Sequence, residues 1–381
     1  MTTLLIFILV LSVLVLVHEA GHFFAAKILG IKVEEFGFGL PFTPAILKIK
    51  NKKSGTFYSI YPLLFGGFVR LYGEEKDVDV NRDKSFWSRG RGQRMTVILA
   101  GVVMNVILAL TVFVVLYGIV GVPVRQSDKV TLVGINNDSP AEQAGLMEGD
   151  RVVAVEGKAI SSLDEFSKLM NSWAGVGVNI TIERGEGTPL FEGIVERVNE
   201  SRIVNLIPRA NPPEGQGALG VVIATYPYLE TTKCSMLRVQ CFVGALKQGI
   251  SSTGVWMGRV FDGLRMIGQS LLAGEKPEGV SGPVGIYQLT GLVAAEGILP
   301  LLEFVAILSV NLAVFNVLPI PALDGGRLVF VVWELVSRRR VSQNVEQKVN
   351  AWGMAFLLGL MVLISLQDVV RLGFLDKLLK R

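Results

Sequence analysis

From Met95 to Val122 the chain runs for 28 residues without one charged side chain. A stretch that long and that apolar is stable in a bilayer only as a helix, because a helix satisfies each backbone N–H and C=O within the segment itself. Similar runs lie at Leu4 to about Leu29, Ile298 to about Val317 and Ala351 to Leu366. Half of the 381 residues are hydrophobic and 18% are charged, and the mean hydropathy is +0.49, too apolar for a soluble enzyme of this length. The expected fold class is therefore a polytopic α-helical membrane protein with about four transmembrane helices. A net charge of +4 could suggest nucleic acid, but the basic residues gather beside the apolar runs, so we expect a lipid bilayer as partner and no nucleic acid.

The first apolar run contains His18-Glu19-Ala20-Gly21-His22. Four residues apart on a helix, His18 and His22 share a face and can reach one Zn²⁺, with Glu19 beside them as a general base. The chain has only two histidines, and both are here. A pair of helix histidines bonded to backbone is the plainer alternative, but ionisable groups inside an apolar segment are expensive and usually functional. No Lys or Arg precedes His18, and no clear small-residue cleavage pattern follows the apolar core, so residues 1–30 are expected to be a retained span and not a cleaved signal. Twelve Lys or Arg against seven Asp or Glu between Ile31 and Arg94 make that loop cytoplasmic and the amino terminus external. The metal motif then lies in the cytoplasmic half of the membrane.

Residues 31–94 carry β-prone pieces at Val33–Phe38, Ile46–Lys50, Thr56–Ile60 and Gly67–Leu71, separated by turn signals, which predicts a small membrane-associated sheet. Gly66-Gly67, after an apolar pentad and followed by Phe68, suggests a hairpin dipping toward the bilayer whose edge could hold an extended substrate. The alternative is an amphipathic sheet with no role beyond structure. In residues 95–122, Gly101 suits close helix packing, and Asn105 reads best as interhelical glue.

Residues 123–227 have the character of a soluble domain, with strands at Val130–Ile135 and Arg151–Val155, a short helix at Pro140–Leu146 and a longer one at Leu163–Asn171. The run Ser139-Pro140-Ala141-Glu142-Gln143-Ala144-Gly145-Leu146-Met147-Glu148-Gly149-Asp150-Arg151-Val152 resembles the signature of PDZ domains. Gly217-Ala218-Leu219-Gly220-Val221 resembles the loop and strand that bind a peptide carboxylate in the permuted bacterial PDZ form, so Gly217, Leu219 and Gly220 are candidates for a peptide-binding loop. Residues 228–296 are expected to form amphipathic juxtamembrane helices. Cys234 and Cys241, if on one helix, would stand about 10 Å apart, which predicts free thiols.

In residues 297–326 an apolar helix holding Glu303 and Asn311 runs into Asn316-Val317-Leu318-Pro319-Ile320-Pro321-Ala322-Leu323-Asp324-Gly325-Gly326. Two prolines break the helix and free backbone groups that lipid cannot satisfy, so the break belongs inside the protein. Asp324 becomes an intramembrane carboxylate, and two His plus one carboxylate with a water is a catalytic zinc set. A helix-capping role for Asp324 is the alternative. Residues 327–350 are expected as a cytoplasmic loop, 351–371 as the fourth transmembrane helix and 372–381 as a tail.

Taken in order, His18-Glu19-x-x-His22, Phe65-Gly66-Gly67-Phe68-Val69, Ala100-Gly101-x-x-x-Asn105, the PDZ-like insert, Ser281-Gly282-Pro283-Val284-Gly285-Ile286 and Asn316-x-Leu318-Pro319-x-Pro321-x-Leu323-Asp324-Gly325-Gly326 resemble the site-2 protease family, in its regulator-of-sigma-E protease (RseP) branch. The resemblance implies intramembrane zinc proteolysis, with ligands His18, His22 and Asp324, base Glu19, and Asn311 and Asn316 holding the substrate chain. It further implies single-pass substrates already cut by another protease, such as anti-sigma factors or remnant signal peptides, and a multi-pass protein of the bacterial inner membrane with a periplasmic PDZ domain. Val102 and Arg327 depart from the usual Pro and His at those positions, and one PDZ domain stands where the branch often has two. Three other readings compete. A metalloprotease with a Glu as third ligand would not need the Asp-Gly after a Pro-broken segment, a silent PDZ-bearing scaffold would not need Glu19, and a broken-helix transporter leaves the histidines unexplained.

Overall fold

The computed structural model describes residues 2–41, 43–63, 66–74, 82–185, 187–191, 193–196, 200–213, 215–232, 238–275 and 281–371. Four of its helices are long and apolar enough to cross a membrane: α1 (Thr2–Ile28), α2 (Arg91–Val120), α7 (Ile298–Val317) and α9 (Gln343–Arg371). Among shorter helices, α6 (Pro283–Ala295) is apolar and α8 (Asp324–Ser337) follows the proline break. The chain divides into two compact units, residues 1–114 with 249–381, and residues 115–248.

In the first unit, β1 (Val33–Phe38), β2 (Leu47–Lys50), β3 (Phe57–Ile60) and β4 (Gly67–Leu71) form a sheet in the order β2-β3-β1-β4. All four strands fall where turn chemistry and β-branched content place them. The hairpin does not. It lies at Asn51–Gly55, where Asn51 Oδ1 accepts from Lys53 and Ser54 N–H. Gly66-Gly67 instead leads into β4, which pairs antiparallel with β1 because β1 has inserted between β3 and β4. Phe65 lies outside the described residues. One face of the sheet packs Phe36 and Tyr58 against Phe23 of α1, in a core shared with Val97 of α2 and Val331 of α8. The same sheet buries Glu35, which accepts from Ser59, Tyr61 and Arg70.

Residues 327–350, expected as a loop, are largely helix: α8 extends to Ser337, with Val331 buried on one side and buried Glu334 paired to Arg94 and Arg91 of α2. Amphipathic spacing, masked in sequence by the basic run Arg338–Arg340, explains the correction. Asp368 of α9 accepts from the N–H groups of Gly282 and Gly285 at the start of α6, which accounts for the Ser-Gly-Pro-Val-Gly motif as a helix cap.

The second unit is α+β. Its sheet runs β11-β8-β6-β5-β12-β10-β9, with β7 on β6; the strands are β5 (Val122–Ile135), β6 (Arg151–Val155), β7 (Lys158–Ala159), β8 (Val178–Arg184), β9 (Gly187–Leu190), β10 (Gly193–Glu196), β11 (Glu200–Leu206) and β12 (Val221–Thr232). Helices α3 (Pro140–Gln143) and α4 (Leu163–Ser172) start at Ser139 and Ser162, whose hydroxyls accept from the N–H three residues on. Phe166 and Met170 of α4 join Val152, Ile180, Ile182 and Leu219 in the core. Asp150 of the Gly-Asp turn is buried and grips Arg184 twice. Helix α5 (Val239–Leu272) starts after Cys234, which lies outside the described residues. Cys241 is disulfide-bonded, not free. The helical separation does not apply, since α5 begins only two residues before Cys241.

Candidate metal centre

Helix α1, strand β4 and the segment around the proline break of the first unit line one cavity of about 410 Å³. Helix α1 presents His18 and His22 on one face, as their spacing requires. Their rings stand edge to face, with centroids 4.8 Å apart. Helix α7 ends at Val317, and Leu318–Leu323 form the irregular break that lets α8 start at Asp324. Close packing fixes that break: a Cβ on Gly325 would lie 2.0 Å from the Leu318 carbonyl oxygen, and one on Gly353 of α9 would lie 2.4 Å from Pro321. Ala322 takes φ +75°, a left-handed conformation uncommon for a residue with a side chain. Asn350 of α9 accepts from its N–H at 3.3 Å. Strain of this kind persists where the surroundings over-determine it, and here it adjoins Asp324.

The three donor atoms form a near-equilateral triangle. Asp324 Oδ2 lies 3.1 Å from His18 Nε2 and 3.2 Å from His22 Nε2, and the two Nε2 atoms are 3.2 Å apart. In a tetrahedral site with bonds of about 2.0–2.1 Å, neighbouring donors stand about 3.3 Å apart, so this triangle fits one face of a zinc tetrahedron. Asp324 Oδ2 is buried and has no hydrogen-bond partner among the described residues. A buried carboxylate oxygen with no such partner, set beside two imidazoles, fits a metal-binding donor set. His18, His22 and Asp324 form the only such group of three among the described residues.

The remaining walls supply chemistry. Glu19 lines the cavity with Phe68, Val69, Asn316 and Arg327. Gly67 brings β4 against α1: its Cβ position is 3.5 Å from both Glu19 Cγ and Val15 Cγ1. Because β4 is at the sheet edge, paired on one side with β1, its other edge has no strand among the described residues. Of the substrate-binding candidates, Phe68 and Asn316 line the cavity, and Gly67 packs against Glu19, which also lines it. Gly66, at φ +101°, turns the chain into β4. Asn311 does not line the cavity and spends its amide N–H on Ile307 O of its own helix, 3.0 Å away.

A model of peptidase family M50 matches residues 6–360. The chain belongs to peptidase family M50, the site-2 protease family. It is 31% identical over 368 residues to a Clostridium acetobutylicum protein whose name marks it provisionally as a zinc metalloprotease, covering 96% of this chain and 97% of that one. Zinc metalloprotease RasP of Geobacillus kaustophilus is 31% identical over 443 residues, 95% of this chain and 96% of that protein. Membrane metalloprotease ARASP of Arabidopsis thaliana is 31% identical over 381 residues, 98% of this chain and 80% of that one. A solved PDZ domain from Listeria monocytogenes covers 25% of this chain at 21% identity, with a TM-score of 0.20. This M50 protein is a membrane zinc metalloprotease with an inserted α+β domain.

Val97 is not singled out in the sequence, and Gly101 and Asn105 read there only as packing and interhelical residues, without their part in the metal centre. Val97, Gly101 and Asn105 fall at successive four-residue steps on α2, and all three meet the histidines. Val97 O is 2.8 Å from His22 Nδ1, and Asn105 is 3.1 Å from His18 Nδ1. A Cβ on Gly101 would lie 2.4 Å from His22 Nε2. Asn105 links helices twice, through its side chain to His18 of α1 and through its backbone carbonyl to Ser309 of α7, and the first of these contacts also reaches the metal centre. The four-residue rhythm was the available signal. In the second unit, Gly217, Leu219 and Gly220 form the loop before β12, with Gly220 at φ +70° and Leu219 buried in the domain core.

Proposed function

We propose that this protease cleaves transmembrane segments of single-pass membrane proteins, with His18, His22 and Asp324 as zinc ligands and Glu19 as general base. The triangle of donors at 3.1–3.2 Å beside Glu19 carries this reading. Zinc bound by this set acidifies water and polarises the scissile carbonyl. Glu19 takes the proton of the attacking water and passes it to the leaving amine, a switch its place in the cavity allows. Phe68 and Val69 present the free edge of β4, onto which an unwound substrate adds as a further strand, with Asn316 donating to its carbonyls. Helical substrates hide their amides, so unwinding precedes cleavage.

Of the finer assignments, we favour a bacterial inner membrane, with residues 31–94 cytoplasmic and the PDZ domain periplasmic. This rests on the Lys and Arg excess beside the first span. Substrates are then proteins already shortened by another protease, such as anti-sigma factors or remnant signal peptides, and the PDZ domain acts as a steric filter against bulky ectodomains. Purified wild-type protein and Glu19→Gln, each analysed for zinc and for cleavage of a model transmembrane substrate, test the catalytic assignment. Full zinc with cleavage lost by about 10²-fold or more is expected of the variant, and unimpaired cleavage would refute the base.

A further inference from the structure

A metal-binding imidazole presents a lone pair to the ion, so the proton of its neutral ring must sit on the other nitrogen and needs an acceptor. Both Nε2 atoms face Asp324 Oδ2, which puts the burden on both Nδ1 atoms. His22 meets it unambiguously. Its Nδ1 is 2.8 Å from Val97 O, and a carbonyl can only accept. The absence of a Cβ at Gly101, one helical turn on, is what leaves room for the ring above that carbonyl.

His18 has a less determined partner. Its Nδ1 is 3.1 Å from Asn105 Nδ2, and an amide nitrogen only donates. That pairing would put the His18 proton on Nε2 and remove the lone pair from the site. It also leaves Asn105 Oδ1 buried with no partner among the described residues, although the residue is completely buried. Turning the amide by 180° exchanges the two atoms and removes the conflict at His18, placing Oδ1 against Nδ1 and the amide nitrogen at the position where Oδ1 had no partner, since the two orientations have nearly the same shape. The backbone of Asn105 stays in place during this exchange, held by Ser309 Oγ, which donates to its carbonyl at 2.8 Å.

We infer that Asn105 is a positioning residue whose Oδ1 accepts from His18 Nδ1–H, fixing the tautomer that turns the Nε2 lone pair toward the metal. This rests on the ligand set proposed above. Together with Val97 O it makes one stripe of α2 the tautomer control for both histidines, one by backbone and one by side chain. Only the side-chain half is open to substitution.

Two measurements on the full-length protein in detergent test it. Because the chain has only two histidines, ¹⁵N-histidine labelling gives a spectrum of two imidazoles. The inference expects both rings of the zinc-loaded protein to carry their proton on Nδ1, because without the ion Asp324 Oδ2 itself stands ready to accept from Nε2–H; a zinc-loaded His18 ring bound through Nδ1 with its proton on Nε2 overturns it. The second measurement is zinc affinity by chelator competition in Asn105→Asp and Asn105→Leu. Asp keeps an acceptor and no donor, so it should hold zinc within a few-fold of wild type, whereas Leu should lose roughly 10–100-fold. Asp as weak as Leu would assign the donor, not the acceptor, and overturn the inference; Leu at wild-type affinity would do the same. His18→Ala separates the two levels: if it leaves zinc affinity unchanged, the ligand set fails and Asn105 with it, and if it abolishes binding, a negative Asn105 result falls on Asn105 alone.

Discussion

Replacing Gly101 by Ala should separate zinc binding from folding. The added Cβ would stand 2.4 Å from His22 Nε2 and 2.7 Å from His18 Cε1, where ordinary contact begins at 3.4 Å, so the rings must withdraw by about 1 Å. Zinc–nitrogen bonds tolerate roughly 0.2 Å, and His22 cannot retreat without stretching its 2.8 Å contact to Val97 O. Disturbing the support of a ligand already costs about 10–100-fold in affinity, or ~1.4–2.7 kcal/mol; moving both rings should cost at least that. The helix itself should be indifferent, because Gly101 is not among the glycines with positive φ and Ala is favoured over Gly in a helix by ~0.8–1.0 kcal/mol. Chelator competition and thermal melting of the metal-free protein read the two effects separately, with Gly258→Ala on α5, whose Cβ meets nothing within 4 Å, as the propensity control. Wild-type zinc affinity in Gly101→Ala would refute the close approach of α2 to the histidines.

Gly325→Ala should lower zinc affinity and melting temperature together, since its Cβ would lie 2.0 Å from backbone oxygen that cannot yield; a thermal melt and a metal titration check it. Burial of Glu35 opposes its ionisation, but hydrogen bonds from Ser59, Tyr61 and Lys48 outweigh that and hold its pKa below the ordinary value. Its contribution is therefore complete above the ordinary glutamate pKa and lost as pH falls through the lowered one, so the melting temperature of Glu35→Gln should fall less than that of wild type between neutral and acid pH. A membrane-impermeant thiol reagent applied from outside should label a cysteine placed at Lys158 and spare one at Lys52, and the reverse pattern would invert the proposed orientation. Removing residues 122–232 should permit cleavage of substrates with large ectodomains and spare short ones; loss of activity on short substrates in a folded variant would favour carboxylate capture over filtering.

Strand positions in residues 31–74 were legible because turn chemistry is local: Asn51, Gly55 and Gly66 each dictate a backbone conformation within a few residues. Strand order was not, since the parallel pairing of β1 with β3 depends on contacts between distant residues that no local pattern encodes. Helix α8 escaped notice for a similar reason. Its apolar stripe is readable only once Glu334, which looks like a surface charge, is known to be buried against Arg94.

The metal triangle divides along the same line. His18 and His22 are four residues apart, so helix geometry alone brings them together, whereas Asp324 reaches them across some three hundred residues of chain and was located through the physics of the two prolines. What surrounds the triangle was hidden, because a glycine and a backbone carbonyl have no side chain to announce a function. Yet Val97, Gly101 and Asn105 keep the four-residue period of the motif they support, and that follows from two helices crossing closely at Gly21, whose Cβ would lie 2.3 Å from the Ala100 carbonyl oxygen. When one helix offers ligands at i and i+4, a partner helix packed this near meets them at its own i, i+4 and i+8. A period shared between two apolar segments is thus a signal for the support of a site as well as for the site itself.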